Sequence, residues 1–217
     1  MRRGCTWRRL AFALCAPLLG CTLARTPMVD FSDTAKKYRG DDYLAVFEAW
    51  TRRTKLVQDV GTVMEIWATL KSWEFRQAYV AKYAQAYDLP ESEREDLAKA
   101  QKEAARSVYE IHLVAQSTTE KWNDLERRSS PWRITLLDGT GAELAPASIR
   151  VEKLPEIYET EFFPTRTAFS RTYTLRFVRP DGAGESFLGP ASGRLILRIA
   201  SPTGKVEVAW EAKNPSS

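Results

Sequence analysis

The apolar positions of this chain follow two different periods, and the switches between them outline the elements. Residues Trp50–Val57 and Thr62–Lys71 are rich in Val, Ile, Thr and Trp and flank Gln58-Asp59-Val60-Gly61. In the second run Met64, Ile66, Ala68 and Leu70 alternate with Glu65, Trp67, Thr69 and Lys71, so one face of an extended strand is apolar. The pair predicts a β-hairpin. Helix is the competing reading of the first run, because Leu44, Phe47 and Trp50 recur every third residue. From Ser72 the period lengthens: Phe75, Ala78, Tyr79, Tyr83, Ala86 and Tyr87 fall on one helical face. Leu89-Pro90 closes that helix, since the residue before proline avoids helical angles. Ser92 through Glu95 has the spacing of a capping box, and Leu97, Ala100, Ala104 and Val108 continue a second, narrower stripe. So short a turn predicts two antiparallel helices.

Beyond Val108 the period of two returns. Tyr109–Gln116, Trp132–Leu137, Ser148–Lys153, Thr172–Val178, Arg194–Ala200 and Lys205–Trp210 are short apolar or alternating runs. Turn clusters separate them at Asp138-Gly139-Thr140-Gly141, Arg179-Pro180-Asp181-Gly182 and Ser201-Pro202-Thr203-Gly204. The expected architecture is therefore α+β: an antiparallel, Ig-like β-sandwich over residues 42–213 with a helical hairpin inserted at about 72–107. The alternative is an N-terminal helical domain followed by a small C-terminal β domain. Residues 22–41 are poor in apolar positions and read as a tether, apart from Met28, Val29 and Phe31, which can pack locally. Fully extended, the tether would reach about 65 Å.

The first residues follow neither period. Residues 1–9 carry four arginines (Arg2, Arg3, Arg8, Arg9), and residues 10–19 are apolar and uncharged. Ten helical residues span about half of a bilayer's roughly 30 Å core, which suits a signal segment and not a transmembrane helix. The run ends in Leu18-Leu19-Gly20-Cys21, which resembles the bacterial lipobox. That resemblance implies a lipoprotein signal peptide over 1–20 and cleavage between Gly20 and Cys21. It also implies fatty acylation (palmitate-type lipid) on Cys21, with 21–41 as the membrane tether. By similarity to Gram-negative lipoproteins, Thr22 after the cysteine favours the outer membrane, with the body facing periplasm or surface. Arg8-Arg9 is similar to the pair in twin-arginine export signals, so either export route stays open.

Charge and cysteine content agree with this division. The whole chain carries a net charge of +4. Without residues 1–20 it has 28 basic and 28 acidic side chains, so the excess belongs to the leader. A balanced body offers no electrostatic footprint for nucleic acid. Cys5, Cys15 and Cys21 are the three cysteines, so a mature chain beginning at Cys21 has one thiol and no internal disulfide. Acylation consumes that thiol.

Candidate chemistry is sparse. The one histidine, His112, falls on the face of its strand opposite Tyr109, Ile111 and Leu113, and is expected exposed or hydrogen-bonded. No serine-hydrolase elbow or zinc-type Cys/His cluster occurs, and the acidic groups Asp41-Asp42 and Glu93–Asp96 lack a calcium-loop spacing. Asp138-Gly-Thr-Gly141 differs from the aspartic-protease triplet by an extra glycine and reads as a hairpin turn. No catalytic residue, metal or cofactor is assigned. The aromatics are the unusual resource: Trp50, Trp67, Trp73, Trp122, Trp132 and Trp210, with Tyr79, Tyr83 and Tyr87 on one helix face. That stripe either lines a groove or docks the helices onto the β body. The expected function is a non-enzymatic envelope module, held by the lipid on Cys21, that binds an envelope protein or polymer. The alternatives are a carrier or chaperone for an apolar ligand, and a carboxylate-dependent hydrolase of wall or glycan.

Overall fold

The computed structural model describes residues 27–58, 61–119, 122–167, 169–180 and 193–213. The leader, the lipobox and Cys21 lie outside the described residues. Ten strands and four α-helices run in the order β1 (Met28–Val29), α1 (Tyr43–Trp50), β2 (Thr51–Gln58), β3 (Gly61–Leu70), α2 (Trp73–Ala86), α3 (Glu91–Ser107), β4 (Val108–Ser117), β5 (Arg133–Asp138), β6 (Glu143–Leu144), β7 (Ser148–Glu152), α4 (Glu156–Phe162), β8 (Arg171–Val178), β9 (Arg194–Ser201) and β10 (Gly204–Ala212). The fold is α+β, with two mostly antiparallel five-stranded sheets. Sheet one has the order β1-β10-β9-β5-β6, and sheet two β2-β3-β4-β8-β7. Only the β1–β10 pairing is parallel among the described strands.

The period of two explains how the sheets share a core. Met64, Ile66, Ala68 and Leu70 of β3 point the same way as Ile111 and Leu113 of β4 and Tyr173, Leu175 and Phe177 of β8. From sheet one, Leu195, Leu197, Ile199, Ile134, Leu136, Val208 and Trp210 join the same apolar cluster. Trp50 and Trp210 are fully buried, and the Trp210 indole donates to the Trp50 carbonyl at 2.8 Å, joining the first helix to the last strand. Both readings of 44–57 turn out to be partly correct. The spacing of three through Trp50 is helix α1, and the β-rich run after it is strand β2, paired with β3 as a hairpin.

The helical hairpin lies between β3 and β4, which are neighbours in one sheet. A separate N-terminal helical domain is therefore not what the chain forms, because its strands pair across the hairpin. Ser72 caps α2 by accepting from the Phe75 amide at 3.1 Å. The capping box at Ser92 does not form: α3 begins at Glu91 after Pro90, with no side-chain cap. Proline already supplies the extended entry, and the Arg94 amide bonds to its carbonyl, so the helix starts two residues early. Helix α4 and strands β1 and β6 are absent from the sequence reading. All are short, and periodicity is weakest over so few residues.

The folded body also begins before Asp42. Val29 is buried beside β10, and Phe31 packs edge-on against Trp50. Glu74 of α2 holds this segment by accepting from Lys36 Nζ, the Tyr38 hydroxyl and the Trp50 indole. Gly40 is pressed so closely on the Gln85 side chain that a Cβ there would collide with it. Most of the expected tether, from Met28 on, is thus part of the domain. The buried Arg52 fixes its start: the guanidinium donates to the carbonyls of Pro27, Ala49, Thr51 and Ala209 at 2.7–3.0 Å. Arg52→Met strands those carbonyls, and the expected loss is about 3 kcal/mol of stability. Urea unfolding of the variant measures it, and an unchanged midpoint refutes the assignment.

Candidate functional site

The strongest concentration of chemistry lies on the second face of sheet two, the one turned away from the shared core. Alternation along β4 puts Glu110 and His112 there, and registers across the sheet add Thr69 from β3, Thr172, Thr174 and Arg176 from β8, and Glu152 from β7. In a two-layer protein these positions would face water. Here α1, α2 and α4 cover them, so Glu110, His112, Thr69, Thr172 and Thr174 are all buried.

Two groups of polar contacts result. In the first, Glu110 accepts from Lys71 Nζ on one oxygen and from Arg176 Nε on the other, both at 2.9 Å. Arg76 of α2 approaches the same carboxylate at 3.7 Å, too far for a hydrogen bond, while its Nε donates to the Lys71 carbonyl and its Nη1 to Gln101 of α3. Burial alone would raise the Glu110 pKa, but the charges of Lys71 and Arg76 outweigh it and hold it below 4.5. Burial also draws Arg76 below the usual guanidinium value, with Glu110 opposing. Above them the Tyr79 and Tyr158 hydroxyls meet at 2.5 Å.

In the second group, Glu152 accepts from the Thr174 hydroxyl and lies 3.3 Å from His112 Nδ1. Burial again pushes the carboxyl up, and the histidine contact, the Lys71 charge and the threonine bring it down to about 2. Glu159 of α4, buried, pairs with Arg166 and accepts from Thr172 at 3.3 Å. His112 is stacked on Phe163 with ring centroids 3.9 Å apart. Neither of its ring nitrogens completes a hydrogen bond among the described residues, because the Glu152 oxygen is close but poorly aligned. Burial holds His112 below 6.5, partly offset by Glu152.

These placements revise several expectations. His112 occupies the expected face but is buried, neither exposed nor well hydrogen-bonded, because α4 delivers Phe163 onto it. The tyrosine stripe docks helices: Tyr79 and Tyr83 pack on Phe162 and Tyr79 also on Tyr43, whereas Tyr87 stacks on Tyr83 and is exposed. The rings of Tyr43, Phe47, Phe75, Phe162 and Phe163 fill the space between helices and sheet where an apolar ligand would have to sit. Asp138 is a turn residue, accepting from the Thr140 amide and hydroxyl and the Ala142 amide, with Gly141 at φ 91°. Asp42 accepts from the Arg39 amide ahead of α1, and Glu93–Asp96 lie along exposed turns of α3. Among the described residues no group of three or more His, Cys, Asp or Glu side chains is placed to hold a metal.

Lys71, Arg76, Glu110, Glu152, Tyr158 and Glu159 were not legible as site residues. The one signal was that Glu110 and His112 alternate with the apolar residues Tyr109, Ile111 and Leu113 along one strand. Chemically, the arrangement offers cations, phenols and carboxylates held in their charged form. Acid–base hydrolysis of glycans needs a carboxyl kept protonated, and the surroundings of Glu110 and Glu152 do the opposite.

No family model matches the chain, and no curated protein does either. A solved structure described as a novel protein of unknown function from Burkholderia pseudomallei is similar over 79% of this chain and 82% of that chain, at 12% identity and a TM-score of 0.38. A likeness at that level bears on neither fold detail nor function.

The histidine generates a pH prediction. Burial holds folded His112 below the value of about 6.5 at which the unfolded chain takes up a proton, so around and below that value the unfolded state binds more protons. Stability therefore falls as pH is lowered from 7.5 to 5.5, by about 1 kcal/mol. Glu152 does not enter that window, because its contribution is lost only below the unfolded carboxylate pKa of about 4.5. Urea midpoints at the two pH values measure the slope. His112→Gln should flatten it, and an equal slope in the variant assigns the effect elsewhere.

Proposed function

We propose that this protein is a lipid-anchored lipoprotein of the bacterial envelope whose body is a non-enzymatic binding or structural module. The observation that carries the reading is the sequence Leu18-Leu19-Gly20-Cys21 behind an arginine-rich, then apolar, leader. The position of the first strand supports it: only residues 22–27 separate Cys21 from β1. Extended, six residues reach about 20 Å, so the acylated end would hold the domain close to the bilayer. Among the described residues no helix is long and apolar enough to cross a membrane, so acyl chains are the anchor this reading requires. Two or three of them give stable attachment where one does not. Following the residue after the cysteine, the outer membrane is the proposed location, and an envelope protein or polymer the proposed partner.

We read the two sheets as a sandwich of the Ig-like interaction type. The shared apolar cluster and the antiparallel order of sheet two support this, although function carried over from such a fold is analogy.

The test is metabolic labelling with an alkyne fatty acid followed by membrane fractionation, comparing wild type with Cys21→Ser. Label and outer-membrane recovery in wild type alone is the expected result. Unlabelled, soluble mature wild type overturns the proposal.

A further inference from the structure

Beneath Tyr79 and Tyr158, the first polar group encloses a cavity of about 80 Å³. A water molecule occupies about 30 Å³ in the liquid, so this is room for two or three waters or one small ion. Its unmet hydrogen-bonding need lies with a donor. Each oxygen of Glu110, the carboxylate on its wall, already accepts one hydrogen bond, from Lys71 and from Arg176. The Gln101 oxygen is taken by Arg76 Nη1, and the two phenols share one hydrogen between them. Among the described residues on its wall, one buried polar side-chain atom is left with no partner, and it is a donor. Arg76 Nη2 is buried and has no hydrogen-bond partner, in a side chain only 4% exposed. Lys71 has ammonium protons beyond the one given to Glu110, Gln101 keeps its amide nitrogen, and one phenol hydrogen is uncommitted.

The charges gathered there lean positive. Half-buried Lys71, buried Arg76 and half-exposed Arg176 surround the single lining carboxylate of Glu110. Glu152, the next carboxylate on this face, feels the Lys71 charge but is engaged with His112 and Thr174 and does not line the cavity. Glu110 offsets part of the Arg76 charge from 3.7 Å, but a buried guanidinium nitrogen with no hydrogen bond is costly, and a small anion in the space beside it supplies the missing acceptor. The remaining walls decide which anion. Phe75 and Phe163 add apolar rings to the wall, Phe163 with the Lys71 ammonium 5.4 Å from its centroid. A tetrahedral dianion would turn an oxygen onto them, whereas a short carboxylate places two oxygens on the cations and its alkyl end on the rings.

We propose that the cavity between Lys71, Arg76, Gln101 and the Tyr79–Tyr158 pair binds a free, acetate-sized monocarboxylate. The site is independent of membrane anchoring, so the two proposals stand or fall separately. Half-buried Gln101 and Tyr158 line the approach, and binding needs no movement of the strands.

The test titrates sodium acetate into the purified protein at pH 7.5, with chloride and sulfate as controls at constant ionic strength, following melting temperature and binding heat. The expected result is a saturable rise with acetate alone, with a dissociation constant on the order of millimolar, as so few atoms allow. Gln101→Glu sits on a partly exposed helix face and places a carboxylate on Arg76. It should raise the melting temperature without ligand and abolish the acetate response. Tyr158→Phe removes one donor and should weaken acetate at least threefold, which keeps the test open if the first variant folds poorly. An equal response to chloride or sulfate overturns the proposal. So does an acetate response that both variants retain, or none in wild type.

Discussion

The centre of sheet two, strand β4 and most of its neighbour β8, is buried on both faces, and most of the molecule is arranged around that constraint. One face is apolar by simple alternation and needs nothing further. The other carries Glu110, His112, Thr172 and Thr174, and each must find a partner once water is removed. The helical hairpin between β3 and β4 is the means. It brings Arg76 and the Lys71 that precedes it onto Glu110, and its aromatic face receives α4, which in turn caps His112 with Phe163. Breaking such a pair by removing one member is far more disruptive than never having built it, because the survivor stays buried and charged. The cover and the charges beneath it are therefore mutually dependent.

The same logic acts at the amino-terminal edge with different chemistry. There the buried cation is Arg52, and its partners are carbonyl oxygens near the end of α1, just before β1 and within β10. A guanidinium suits this because its donors fan out in one plane and can serve several acceptors at once. Glu74 is the counterpart on the helix side, one carboxylate collecting an ammonium, a phenol and an indole. Together they turn a stretch with few apolar residues into part of the domain.

This accounts for what could be read from the chain alone. Strands β3, β4, β8, β9 and β10 and helices α2 and α3 announce themselves because each carries its own period over eight or more residues. The segment 28–42 does not, since its order comes from Arg52 and Glu74, distant in sequence and polar. His112 shows the same limit more sharply. Alternation places it on the right face, but whether that face meets water depends on α4, a helix of seven residues that no periodicity over so short a run could distinguish from loop. Charge pairs such as Lys71–Glu110, 39 positions apart, leave no trace in spacing. The candidate site was thus nearly illegible, although most of its residues sit in elements that were not.

The early start of the domain also changes what anchoring would mean. A tether of 20 residues would let the body sample a shell about 65 Å deep, and partners could be met anywhere within it. With β1 fixed at Met28, the link under the proposed anchoring shrinks to six residues and about 20 Å. Arg52 then acts as a mechanical stop, because it holds the Pro27 carbonyl at the very point where the link enters the fold. A domain held that closely cannot search far for its partner. Under that proposal a partner would have to come to the membrane surface, and the surfaces open to it would be those remote from the β1–β10 edge.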